Sequence, residues 1–245
     1  MSKTNVLGVK IDKITMNETI DKAWGFMSDA EHFHYIFTPN SEIVMEAKSN
    51  EDLKNKLNSA DLCIADGIGV VHASKILKDP VPERVAGFDL ACELLAKMNE
   101  TEKTAYFFGS APGVCEAAIE NLHVKYPKLK VAGFRNGYFT KEEEAGIVAD
   151  INEKNPNILL VCLGFPKQEN FIFEYKDKLK VSLALGVGGT LDVLAGKAER
   201  APEFFINHGL EWLYRLLKEP KRAFRMIALP KFGLFVLFRG KKYSK

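Results

Sequence analysis

The 245-residue sequence has no long apolar run: nothing in it approaches the ~20 consecutive apolar residues of a membrane-spanning helix. Its opening residues, MSKTNVLGVKID, lack the apolar core of a signal peptide, so the expected setting is the cytoplasm. Cysteine is scarce. Cys63, Cys92, Cys115 and Cys162 form no C-x-x-C pair, which speaks against a zinc site or a disulfide framework and for reduced thiols, mostly in the core. The phosphate-cradling G-x-x-x-x-G-K-[ST] is absent, and so is G-x-G-x-x-G. No D-x-D occurs, which removes the usual aspartate bridge through a divalent cation to a diphosphate. His32 and His34 have no matching carboxylate or cysteine in the pattern, so a surface position is expected for them rather than a metal site. The expectation is therefore no metal and no cofactor.

What is present is a chain of 47% hydrophobic residues, long enough to bury a sizeable core as one large domain or one domain with an appendage. The formal net charge of +2 conceals an asymmetry. Residues 1–196 hold 22 Lys+Arg against 28 Asp+Glu, a balance of −6, whereas residues 197–245 hold 12 against 4, a balance of +8. The boundary is placed there: 1–196 as the body and 197–245 as a basic appendage. A basic end suits nucleic acid, anionic lipid or a bound phosphate, and neighbouring residues must decide among them.

Short apolar runs of strand length recur at Tyr35–Thr38, Leu62–Ala65, Thr104–Phe108, Val131–Phe134, Ile158–Leu163 and Val181–Leu185. Between them, Glu42–Leu57, Phe88–Met98, Val114–Tyr126 and Lys141–Asn152 carry apolar residues at helical spacing. This alternation predicts an α/β fold with a mostly parallel, Rossmann-like sheet covered by helices on both faces. In such sheets ligands bind beyond the carboxyl ends of the strands, which makes the residues following each strand the candidates.

After the first strand, Thr38 and Asn40 would present polar groups at the sheet edge, although capping of the next helix explains most of Thr38-Pro39-Asn40-Ser41. After the second, Asp66 enters the Gly67-Ile68-Gly69 turn. Partial desolvation there would raise its pKa towards the range of a general base, while an Asx turn is the plainer reading. Arg84 suits a phosphate or carboxylate. Gly109-Ser110-Ala111-Pro112-Gly113 and Gly186-Val187-Gly188-Gly189 are glycine turns ahead of helical patterns, each a candidate amide cradle for a phosphate. Asp192 follows the second, placed either to meet a ribose or base or merely to cap. Gln168, at a helix start, can donate and accept towards a sugar hydroxyl.

Beyond Pro202, Phe204–Lys218 reads as an aromatic-rich helix ended by Pro220, and Lys221–Leu229 as a second segment with Arg222 and Arg225 on one face. FGLFVLF, Phe232–Phe238, is too short to span and suits packing on the core or lying in a membrane interface.

Taken together, TPNSE at 38, ADGIG at 65, RVAGFDL at 84, GFPKQE at 164, GVGGTLDVLAGKAERAP at 186 and EWLYRLLKEPKRAFR at 211 resemble the WecG/TagA/CpsF glycosyltransferase family, in order and over nearly the whole chain. The likeness is greatest to the branch that transfers N-acetylmannosamine from its UDP donor, with inversion, to the 4-hydroxyl of N-acetylglucosaminyl-diphospho-undecaprenol. That step commits material to the wall teichoic acid linkage unit. Related members use UDP-N-acetylmannosaminuronic acid or other sugars, so the reaction type is better defined than the sugar. The resemblance implies that Asp66 is the catalytic base and that Thr38 and Gln168 are polar active-site residues. It puts Arg215, Arg222 and Arg225 on an appendage that closes over the site and meets the inner face of the cell membrane. Ser41 stands where the family motif often has proline, which loosens a turn and removes no functional group. The implied partners are a UDP-sugar, a polyprenyl-diphosphate acceptor and an anionic membrane surface, with no nucleic acid. The oligomeric state is left open, a homo-oligomer included. Two other classes fit parts of the sequence: a nicotinamide-dependent oxidoreductase, against which the missing glycine fingerprint speaks, and a nucleic-acid or membrane-binding module resting on the basic end alone.

Overall fold

The computed structural model describes residues 2–218 and 228–239. Two strands, β1 (Lys3–Val6) and β2 (Val9–Asp12), pair antiparallel, and α1 (Met16–Phe26) follows behind a Thr15–Glu18 capping box. The body then alternates: β3 (His34–Phe37), α2 (Ser41–Ser49), α3 (Glu51–Asn58), β4 (Leu62–Cys63), α4 (Ile68–Ile76), α5 (Gly87–Met98), β5 (Thr104–Gly109), α6 (Val114–Lys125), β6 (Lys130–Arg135), α7 (Glu144–Lys154), β7 (Ile158–Cys162), α8 (Lys167–Tyr175), β8 (Leu183–Gly186) and α9 (Thr190–Leu194). The last six strands form one sheet in the order β4-β3-β8-β7-β5-β6, parallel throughout. The parallel α/β architecture expected from the alternating pattern is the one observed.

Helices on both faces explain why these strands are almost continuously apolar. Tyr35, Phe37, Leu159 and Val161 point into one core, with side chains from α2, α3, α4, α7 and α8. Ile36, Ile158, Leu160, Leu183 and Leu185 point into the other, with α1, α5, α6 and α9. The chain therefore leaves β3, β4, β6 and β7 towards one face and β5 and β8 towards the other. Between β3 and β8, and again beside β7, neighbouring strands send their chains to opposite faces, the arrangement that in parallel sheets marks the carboxyl ends as the place for a ligand.

Three local readings change. The pattern over Glu42–Leu57 is two helices, because Asn50 leaves helical geometry and accepts the Leu53 N–H at 3.1 Å, starting α3 where α2 stops. The β1–β2 hairpin has no counterpart in the sequence reading. It is tied to the sheet by Asp12, 2% exposed, which accepts the Cys63 N–H at 2.9 Å and pairs with Lys3 at 3.1 Å. Finally, His34 does have carboxylate partners: Nδ1 lies 3.0 Å from Asp61 and Nε2 3.1 Å from Asp29, with the ring stacked on Phe26. Asp61 arrives only through the pairing of β4 with β3, which sequence spacing does not reveal.

Past the sheet, α10 (Glu203–Asn207) and α11 (Glu211–Lys218) replace the single helix expected over Phe204–Lys218, the break falling at His208–Gly209. The segment Lys221–Leu229, with Arg222 and Arg225, falls outside the described residues but for its last two. The apolar run Phe232–Phe238 lies inside α12 (Ala228–Arg239). Phe232 and Val236 are buried in the first core, while Leu234, Leu237 and Phe238 are exposed. Among the described residues no helix is long and apolar enough to cross a membrane.

The His34 clasp has a definite pH signature. Burial pushes its pKa down, but hydrogen bonds and charge from Asp61 and Asp29 outweigh burial, and the net shift is upward. A raised folded-state pKa adds stability below the unfolded value of about 6.5, and that stability is lost as pH rises through the folded value. Replacing His34 with Gln should therefore lower the melting temperature more at about pH 6 than at about pH 9. Equal deficits at the two pH values would show that the clasp does not depend on charge.

Candidate active site at the carboxyl edge of the sheet

The predicted residues fall into two groups at the same sheet edge. The first lines a cavity of about 670 Å³ between the β4–α4 turn and the appendage, with Asn40, Asp66, Arg84, Trp212 and Phe232 in its wall. Asp66 is half-buried just past β4, and its Oδ1 accepts the Gly87 N–H at 2.8 Å. Gly87 opens the 12-residue α5, so the carboxylate sits at a helix N-terminus, where its negative charge is stabilised. The sequence suggested partial burial for Asp66; the helix terminus 21 residues downstream is an addition from the fold.

Arg84 is turned towards protein, not towards an open phosphate position. Its Nε donates to the Asp66 main-chain carbonyl, and its Nη2 is ion-paired with Glu211 in the first turn of α11. The guanidinium thus joins the peptide of Asp66 to the appendage. A second ion pair, Arg200 with Asp89, and the Arg200 guanidinium over the Phe88 ring fasten the same region to α5. Asn40 spends its Oδ1 on capping α2, accepting from Glu42 N–H at 2.9 Å and Ile43 N–H at 3.1 Å. Its place is in the cavity wall, and the capping reading accounts for its oxygen. Arg215 belongs to α11 with its side chain outside the described residues.

The second group lies at the ends of β5, β7 and β8. Gly109 has φ +137, and a Cβ there would stand 2.3 Å from the Cys162 carbonyl, so only glycine lets β5 and β7 approach this closely. Ser110 Oγ donates to Asp192 Oδ2 at 3.1 Å, linking the two glycine turns across the sheet edge. Gln168 is 3% exposed and its Oε1 accepts the Gly188 N–H at 2.9 Å. One amide of the Gly186–Gly189 turn is therefore already engaged by a side chain, which differs from the open cradle expected. The helix behind that turn, α9, is only five residues long, so its dipole is small and the expected anion site at its terminus has little support.

The groups meet where Thr38 Oγ1 donates to Gly186 O at 2.9 Å, joining the ends of β3 and β8. Thr38, Gln168 and the turn thus form one bonded strip, with Asp66 and Arg84 beside it. Sequence reasoning passed over Glu211, the partner of Arg84, and Glu169, which is 1% exposed, leaving one carboxyl oxygen without a partner among the described residues. The signal for Glu169 was its place beside Gln168 at the end of the quoted motif GFPKQE. Glu211 opens the quoted motif EWLYRLL, but its pairing with Arg84 depends on how the appendage packs. Among the described residues no group of three His, Cys, Asp or Glu side chains is placed to hold a metal ion.

These features define an α/β protein of the doubly wound, Rossmann-like class, with a carboxylate and a polar strip along the carboxyl edge of its sheet. The chain belongs to the WecG/TagA/CpsF family of glycosyl transferases, whose family model matches residues 4–245. It is 41% identical over 212 residues to an N-acetylglucosaminyldiphosphoundecaprenol N-acetyl-beta-D-mannosaminyltransferase of Bacillus spizizenii, covering 86% of this chain and 81% of that one. A protein of the same name from Bacillus subtilis is 35% identical over 202 residues, covering 82% and 78%. One from Staphylococcus aureus is 33% identical over all 245 residues, covering 95% of its own length.

Proposed function

We propose that this protein is an inverting glycosyltransferase that moves N-acetylmannosamine from UDP-N-acetylmannosamine to the 4-hydroxyl of N-acetylglucosaminyl-diphospho-undecaprenol, building the teichoic acid linkage unit. The observation that carries it is the placement of Asp66, a half-buried carboxylate at a helix N-terminus in a cavity wall, in a chain alike over most of its length to relatives of that activity. Asp66 takes the proton of the acceptor hydroxyl as its oxygen attacks the anomeric carbon. The bond from that carbon to the UDP oxygen breaks on the opposite side, inverting the configuration. Negative charge then builds on the departing diphosphate. Arg84, Arg215, Arg222 and Arg225 supply positive charge to it, with the turns at Gly109 and Gly186–Gly189 and Asp192 holding the nucleotide. Arg84 would exchange Glu211 for the diphosphate as it does so.

The appendage is, in this reading, also what meets the membrane. Its balance of +8 contributes on the order of 1 kcal/mol per basic residue near an anionic leaflet, less in salt. Leu234, Leu237 and Phe238 give α12 an exposed apolar face to lay in the interface, a peripheral attachment without a span.

Asp66→Asn keeps the shape and removes the basicity, so transfer should fall by about 10²- to 10⁴-fold with UDP-sugar binding little changed. Mass analysis of a short-chain lipid-linked N-acetylglucosamine acceptor, incubated with a panel of UDP-sugars, reads this loss. The same assay identifies the donor; preference for UDP-N-acetylmannosaminuronic acid would keep the reaction type and change the sugar.

Arginine charge in place of an aspartate-bound cation predicts metal independence. Activity should survive exhaustive chelation, and an inert metal-free preparation revived by magnesium or manganese would overturn that.

Changing Leu234, Leu237 and Phe238 together to Ser should release the protein from anionic vesicles in sedimentation, while turnover on a soluble short-chain acceptor stays within about threefold. Unchanged sedimentation would exclude α12 as the membrane-facing surface.

A further inference from the structure

Glu169 is a costly residue in its position. It is 1% exposed in the first turn of α8, and burial pushes its carboxyl up to about 7. Oε1 accepts from Gln168 Nε2 at 3.0 Å, and Oε2 has no partner among the described residues. An apolar side chain of similar volume would fill the space without this desolvation penalty.

The carboxyl does settle one thing that an apolar group cannot. The Gln168 side chain has a donor end and an acceptor end of nearly the same shape. A carboxyl oxygen accepting from Nε2 leaves Oε1 as the end that faces the Gly188 N–H, 2.9 Å away. Rotated by half a turn, the amide would set its NH2 against that N–H at any pH and its oxygen against the carboxylate whenever Glu169 is ionised, the second mismatch adding to the first in a buried place. Gln168 is held close on the strand side too, with Nε2 3.1 Å from where a Cβ on Gly186 would stand.

We infer that Glu169 is a positioning residue: by holding Gln168 in one orientation it fixes the Gly188 amide and with it the turn from Gly186 to Gly189. Thr38 holds the same turn from the other side through Gly186 O. The inference deepens the proposed function, because it rests on that turn being where the donor nucleotide is held.

Two variants and the unmodified protein test it by amide NMR and nucleotide binding. In the unmodified protein the Gln168 side-chain amide protons should exchange slowly with solvent. Exchange as fast as that of an exposed glutamine would overturn the inference, and this measurement needs no variant to fold. Glu169→Leu fills the space without an acceptor. It should speed Gly188 amide exchange about tenfold and weaken UDP binding by a similar factor, raising KM for the donor more than it lowers kcat. Glu169→Gln keeps an acceptor oxygen and should restore both to within about threefold of the unmodified protein. Gly188 exchange unchanged in Glu169→Leu, or equal losses in both variants, would overturn the positioning role. Faster Gly188 exchange with unaltered UDP affinity would uphold it and remove the turn from the donor site instead, so the two readings fail separately.

Discussion

The divergence of the chain paths after β3 and β8 governs this molecule. Two neighbouring parallel strands deliver their chains to opposite faces of the sheet, so no connection can cover the space at their carboxyl ends. Thr38 bonds to Gly186 at that point, Gln168 meets the Gly188 N–H from the β7 side, and Asp66 stands one strand further out on the loop after β4. The polar residues are there because the topology leaves their backbone neighbours without a helix to pack under. The apolar ones, Ile36, Leu160 and Leu185, lie a few ångströms below, sealed between two helical layers.

The appendage is joined to the body by two different kinds of force. Phe232 and Val236 insert into the first core and are held by burial, while Arg84–Glu211 and Arg200–Asp89 are ion pairs near the surface. Burial sets where α12 lies; the Arg200–Asp89 pair, about a third exposed, contributes little net stability, whereas Arg84–Glu211, at 20% and 15% exposed, is the more firmly held of the two. Arg84 adds a further link, because the same guanidinium also holds the main chain of Asp66.

Much of this was legible in the sequence, for physical reasons. Strands buried on both faces are nearly pure apolar runs, so Ile158–Cys162 and its neighbours stood out, and the residues following them had to be at the sheet edge. Thr38, Asp66, Gln168 and the glycine turns were found that way. What stayed hidden was whatever depends on long-range pairing. Asp61 reaches His34 only because β4 lies beside β3, Asp12 reaches Cys63 only because the hairpin folds under the edge strand, and Glu211 reaches Arg84 only through the docking of α11. Helix breaks were missed for a local reason: Asn50 can end one helix and cap the next with no loss of apolar periodicity on either side. Direction was hidden too. Residue type and position suited Arg84 to a phosphate or carboxylate and Gln168 to a sugar hydroxyl, but did not show which protein groups already occupy their hydrogen-bonding atoms.

The strand order carries a consequence for how the protein is made. Among the described residues β8 is the sole link between the β4–β3 pair and the β7–β5–β6 triplet, since it alone pairs with both β3 and β7. A nascent chain that has emerged only as far as α8 can hold two partial sheets but cannot join them. The joining strand comes from residues 183–186, and the contact it makes with Thr38 closes a loop of well over a hundred residues, the kind of closure that comes late and slowly. That insertion completes the strip of Thr38, Gln168 and the Gly186–Gly189 turn, whereas the cavity beside Asp66 waits for Trp212 and Phe232, which leave the ribosome later still.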